Sequence, residues 1–500
     1  ADDNTAVGDR ALFNNTTGTN NSALGHDALK ANTTGDQNTA VGSFALDANT
    51  TAGNHVAVGY AALTQNTTGQ RNTAVGALSS QEMTTGDDNV AMGYLSLGAN
   101  TTGTENTAVG ANALDANTTA SNNSAFGRMA LRDNTTGANN TALGHQAMIS
   151  NTEGGSNVAV GKGALDANTT ASNNTAVGKD ALGANTTGVN NVALGVNALL
   201  SNTTANNNTA LGTSTLRDNT TGDLNVAVGS SALVSNTTAS QNVAMGFAAL
   251  QLTTTGNNNT AIGYVAMNAN TTGGNNTALG FGALDANTTA SGNTAVGYQS
   301  LGAATGGGNT CVGAQAGDGI ITGVNNVIVG VASDVVSSSH SNTIIIGDTV
   351  SGVGENNFTF GNGNLDSNIA FGATSITAPS DIRLKEDIQD EEVGLDFIND
   401  LRPVTFRWKK EKDIPTDMKA YKEGSEERTM NGKYNHGFIA QEVKKVINNH
   451  NLKDGFDMWQ EDEADGRQRV APSAMMSIMV KAVQELSTQV DELKAKLEDK

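Results

Sequence analysis

Two residues five positions apart, Ser380 and Lys385, are of types that can do covalent chemistry together. A serine hydroxyl is a poor nucleophile until a base takes its proton, and a desolvated lysine with a lowered pKa can be that base. The same two residues beside a turn are also an ordinary surface pair. Spacing alone does not choose between these readings.

Other candidate chemistry is thinner. Cys311 is the single cysteine, so there is no intrachain disulfide framework and no cysteine-based metal site. It reads as a small buried hydrophobe. His26, His55 and His145 stand isolated and read as surface residues rather than ligands. Asp47, Asp115, Asp166 and Asp285 recur in Leu-Asp-Ala-Asn; they could line a cation site, but a solvated acidic edge is the simpler reading. The many Asn-Thr-Thr sequons are glycosylation sites only on a eukaryotic secretory route. No carboxylate pair suggests a glycosidase. No cofactor and no metal are expected.

The element that positions everything upstream is a repeat. Asn4-Thr5-Ala6-Val7-Gly8 returns every 17 residues, its glycine recurring from Gly8 to Gly297 in 18 copies without a slip. After one 16-residue step to Gly313 the spacing resumes at Gly330 and Gly347. Such a fixed short period marks a solenoid or stacked array. The Ala6 position is Ala in all 18 copies, the Leu12 position is Leu in 15, and the Asn4 position is Asn in 17, with His55 the exception. Seventeen residues are too few for a helical hairpin, and the Asn, Thr and Gly content opposes helix. Each unit therefore reads as a β-coil: one strand around Thr5–Gly8, a second short segment reaching Leu12, and a turn through Asn15–Gly18. An Ala that never enlarges implies a confined layer. The Asn column is either an amide ladder from coil to coil or plain turn chemistry. The strand is apolar or semi-apolar on both faces, which suggests that both are covered. A thin coil covers only one by itself, so the other is expected to pack on neighbouring chains.

The chain then changes character. All four Pro and both Trp lie at or after Pro379, and residues 380–500 carry 20 Lys/Arg and 26 Asp/Glu against 8 and 23 before them. The expected domains are a regular array over 1–301, a β-rich neck over 302–379 and a separate small domain over 380–500. In that last domain, Ile382–Ile398 mixes helix and turn signals, Val404–Trp408 looks like a strand and Ile439–Ile447 like a helix. Met476, Met479, Val483, Leu486, Val490, Leu493 and Leu497 alternate spacings of three and four, which predicts a coiled-coil helix over 476–497. Valine at a and leucine at d favour a dimer by side-chain shape. The formal charge of −21 argues against nucleic acid as a partner. No run approaches the roughly 18–20 apolar residues of a membrane span. The first residues, Ala1-Asp2-Asp3-Asn4, start inside a repeat without a signal peptide. An excised fragment with an anchoring region upstream is the expectation.

Two resemblances carry the reading further. The Asn-x-Ala-Val-Gly beat resembles the left-handed β-roll heads of trimeric autotransporter adhesins, whose period is usually shorter. Ser380–Ile388, then His436-Gly437-Phe438-Ile439-Ala440-Gln441-Glu442-Val443, then Val480–Leu486 resemble, in that order, the motifs of the endosialidase-type intramolecular chaperone, a self-cleaving peptidase domain. Such domains end phage tail fibres and tailspikes, and occur in a family of membrane-bound transcription factors. The resemblance implies a homotrimer, which overrides the dimer read from the heptads. It also implies a catalytic pair at Ser380 and Lys385 and cleavage between Pro379 and Ser380.

The expected protein is thus mainly β: a trimeric solenoid of 17-residue repeats followed by a small α+β chaperone domain. Its expected function is a structural, receptor-binding tail fibre or tailspike shaft of a virion, made in the host cytoplasm. Its peptidase would act once, in cis, and a glycan or outer-surface protein of the host is the expected receptor. The alternatives are a bacterial surface adhesin, ice or carbohydrate binding by threonine ladders such as Thr33/Thr50/Thr67, and a polysaccharide depolymerase.

Overall fold

The computed structural model describes residues 2–363, 366–373, 376–377, 380, 382–416, 418, 420–430, 432–452, 458–461 and 466–498. The chain forms two compact units, Ala1–Pro379 and Ser380–Lys500.

The first unit is a β-solenoid with one short strand per coil. Strand β1 (Thr5–Val7) pairs in parallel with β2 (Ser22–Leu24), setting Thr5 against Ser22, Ala6 against Ala23 and Val7 against Leu24. The same register repeats down the stack to β18 (Thr294–Val296), so each strand lies on the residue 17 positions later. Strands β19 (Thr310–Val312), β20 (Val327–Val329), β21 (Ile344–Gly347) and β22 (Asn357–Gly361) extend the parallel stack. The last, β23 (Ser367–Ala370), turns back antiparallel to β22. The neck thus continues the array and then reverses at its end, which satisfies one edge of the sheet.

The second short segment, reaching Leu12, is a turn. In the coil that follows β2, Asp27 has φ 59 and Leu29 has φ 51, both left-handed. That alternation curls the chain so that Leu29 points inward while its N–H bonds the Ala45 carbonyl at 3.0 Å. Left-handed residues without a glycine cost roughly 1–2 kcal/mol each, a strain the neighbouring coils hold in place. Glycine is needed just before this turn. Gly59 has φ 141, and a Cβ there would sit 2.4 Å from the Gly76 carbonyl oxygen of the next coil.

The interior of a coil is narrow. In the third coil Asn38, Ala40, Ala45, Leu46 and Asn49 are all 0% exposed. The strand alanines stack on one another along the axis, which is why none of them enlarges. Outside, the strand presents the Val7 column to solvent: Leu24 is 50% exposed, Leu143 49% and Leu194 47%. Other members of the column, such as Val41 and Val160, are partly buried, so a single chain leaves an apolar stripe partly uncovered.

Both readings of the Asn4 column hold at once. The Asn21 side-chain oxygen accepts the Asn38 backbone N–H at 3.0 Å, and its amide donates to the Gly35 carbonyl at 2.8 Å. The column is a ladder between coils and a turn clamp within one. A second ladder, which the sequence reading missed, runs through the Asn-Thr-Thr turns. There Asn134 Nδ2 donates to Asn117 Oδ1 at 2.9 Å and to the Gly137 carbonyl at 2.9 Å.

The second unit is small and mixed. It holds α1 (Leu395–Asp400), β24 (Val404–Phe406) antiparallel to β25 (Asn435–Gly437), and α2 (Ala440–Asn449). Then come β26 (Trp459–Glu461) antiparallel to β27 (Gln468–Val470), and a terminal helix α3 (Met476–Glu498). Its core gathers Phe397, Leu401, Val443, Val446, Met458, Met475 and Ile478. The heptad residues of α3 stay outside that core: Val483 is 65% exposed, Leu493 58% and Leu497 73%. No helix among the described residues is long and apolar enough to cross a membrane.

Candidate active site

A single 3-10 turn, Ile382–Leu384, lies between Ser380 and Lys385. The Lys385 N–H closes it on the Ile382 carbonyl at 3.1 Å. Across this turn the lysine Nζ stands 2.7 Å from the serine Oγ. Both side chains are exposed in the single chain. Lys385 Nζ donates to the hydroxyl. The pair has the contact that a nucleophile and base need, but serving as a base requires the amine to shed its own proton first. Pro379, the expected acyl side of the cleaved bond, lies outside the described residues.

The other recognised motifs lie in the body of the same unit. In His436–Val443, Val443 is buried in the core and Phe438 packs against it. Glu442 receives two hydrogen bonds from the Arg402 guanidinium, at 2.9 and 2.5 Å, and that cation holds its carboxyl below the usual range. His436 Nδ1 lies 3.2 Å from the Thr405 hydroxyl, linking β24 to β25. From the terminal motif, Glu485 Oε2 accepts the Leu395 N–H at 2.8 Å. Elsewhere in the unit, Glu426 bridges Lys410 and Lys412, which lower its pKa to about 2.

Several expected roles change with the geometry. His55 is no surface residue: it is 0% exposed, and burial is the main reason its pKa falls to about 4. His26 and His145 are partly or largely exposed and meet Arg10 and Arg128 at 3.1 and 3.3 Å. Asp47, Asp166 and Asp285 are only partly solvated, and desolvation raises each above its ordinary value. Cys311 is fully buried, with its thiol pushed up by desolvation. Thr33, Thr50 and Thr67 form the expected column, but each hydroxyl donates to a carbonyl of the next coil, at 3.0, 3.5 and 3.1 Å. Their donors are spent inside the array rather than offered to ice or sugar. The sequon asparagines Asn32, Asn49 and Asn66 are 0% exposed, so a folded coil presents no amide to a glycosylating enzyme.

No curated protein and no solved structure matched the chain. Residues 380–452 match the family model described as chaperone of endosialidase. That match covers the Ser380–Lys385 turn, α1, the β24–β25 pair and α2. With a long β-solenoid ahead of it, the C-terminal unit of this chain fits a tail fibre that ends in a chaperone-of-endosialidase domain.

Proposed function

We propose that the chain is the shaft of a homotrimeric tail fibre or tailspike that attaches a virion to a host surface, and that residues 380–500 drive its trimerisation and then release themselves. The contact that carries the release step is Lys385 Nζ at 2.7 Å from Ser380 Oγ. In the proposed reaction, Ser380 Oγ attacks the Pro379 carbonyl carbon as Lys385, in its neutral form, takes the hydroxyl proton. The Pro379–Ser380 C–N bond breaks, the lysine returns its proton to the departing amine, and an ester joins Pro379 to Ser380 Oγ. Water hydrolyses that ester, leaving a carboxylate on Pro379 and a free amine on Ser380.

Assembly supplies what one chain lacks. Enclosure among three chains would desolvate the pair, and burial favours the uncharged form of an amine. Cleavage would then follow correct folding. The exposed Val7 column and the exposed heptads of α3 both support a partner with the same period. A second copy of the chain has that period.

Register is the hazard in such an assembly, since every coil resembles its neighbours. Residues 380–500 would set it. Light scattering tests this part directly: the full chain is expected as a trimer, and a chain ending at Pro379 as aggregate or monomer. Soluble, native trimers from the truncated chain would overturn the chaperone role.

A further inference from the structure

The one substitution in the inner asparagine column of the regular array sits at a protonatable group with no room for a second proton. At an ordinary position such as Asn38, the side-chain oxygen accepts the backbone N–H of the next coil, at 3.1 Å from His55, while the amide donates to the Ala52 carbonyl at 3.0 Å. His55 takes over the accepting job with a ring nitrogen: Nδ1 accepts the Asn72 N–H at 3.2 Å. Nδ1 must therefore be unprotonated, so the single ring proton is on Nε2, which faces the Gly69 carbonyl. The nearby Asn66 amide, 3.2 Å from Nε2, is itself a donor already directed to Gly69 and Asn49.

Every other contact of the ring is neutral. Its surroundings are the Asn38, Asn66 and Asn72 groups and the Gly69 carbonyl, and the charged group acting on it is the Asp87 carboxylate. That carboxylate is itself 42% exposed and pairs with Arg71. A second ring proton would set Nδ1–H against the Asn72 N–H, replacing an attraction by a clash of donors inside a dry coil.

We infer that His55 makes the junction between the coils of β4 (Val56–Val58) and β5 (Thr73–Val75) an acid-opened joint, through which the leading coils separate from the rest of the array. In a stack where each coil holds only its neighbours, one weakened junction divides the stack. The direction follows from linkage. With an ordinary value of 6.5 and a folded value of about 4, stability at this junction is whole above 6.5 and falls as the pH drops toward 4.

Hydrogen exchange read by mass spectrometry on the full chain, corrected for intrinsic rates, tests this against His55→Asn. The variant restores the residue that the other copies carry, so its folding is not in question. Going from about pH 7.5 to about pH 5, the wild-type opening equilibrium across residues 56–75 should rise roughly 25-fold, and that of His55→Asn should not change. Equal pH dependence in the two proteins, or a wild-type opening equilibrium that does not rise between about pH 7.5 and about pH 5, would overturn the inference.

Discussion

Glu485 on the terminal helix accepts the Leu395 backbone N–H through Oε2 at 2.8 Å, joining residues 90 positions apart. Gly394, just ahead of that N–H, offers no side-chain cap, and a Cβ there would lie 2.5 Å from the same carboxylate. Glu485 thus caps α1 from a residue distant in sequence and ties α3 to α1. Glu485→Ala is expected to destabilise residues 380–500 by about 0.5–2 kcal/mol, the range for losing a helix cap. Urea unfolding followed at Trp408 and Trp459 measures it, and Glu485→Gln should lose less because a side-chain oxygen remains.

The two faces of a strand make opposite predictions. Ala142 is 0% exposed between Ala125 and Ala159, so Ala142→Val adds methyls where no space exists. It should cost about 1–3 kcal/mol and lower the melting temperature of any assembly state. Leu143, one residue on, is 49% exposed. Leu143→Asp should leave the circular dichroism of the coil unchanged yet weaken the trimer in sedimentation; unchanged sedimentation would remove this column from the interface.

The turn ladder can be broken at one rung. Asn134 donates to Asn117 Oδ1 and to the Gly137 carbonyl, and its own oxygen accepts from Asn151 Nδ2 at 2.8 Å. Asn134→Ala leaves the buried Asn117 Oδ1 without its donor, worth about 1–3 kcal/mol when unpaired, while the Gly137 carbonyl keeps Asn123 Nδ2 and Asn151 Nδ2 keeps the Gly154 carbonyl. Faster hydrogen exchange should centre on the turns at 117 and 151 and fade with distance along the stack.

How much of this was readable beforehand depends on what the repeat itself exposes. Period, parallel stacking and the inner Ala and Leu columns followed from invariance across copies, because a confined layer tolerates no change of size. The left-handed Leu29 did not, since leucine carries no signal for a positive φ and only the coil's neighbours impose it. The Asn134 ladder was hidden by its own turn chemistry: Asn-Thr-Thr reads as a loop whether or not the amides stack. His55 was misread for lack of one step, namely that an exception in an inner column is itself inside. Ser380 and Lys385 were legible through their flanking motifs, while the 3-10 turn that brings them to 2.7 Å is a matter of backbone geometry.

Intact mass under denaturing conditions tests the central claim most directly. Wild type should give two fragments of roughly three-quarters and one-quarter of 51.0 kDa, the larger ending at Pro379 and the smaller beginning at Ser380. Ser380→Ala and Lys385→Ala should each give the uncut 51.0 kDa chain, still trimeric before denaturation. One and the same pattern in all three proteins, cut or uncut, would contradict autoproteolysis by this pair.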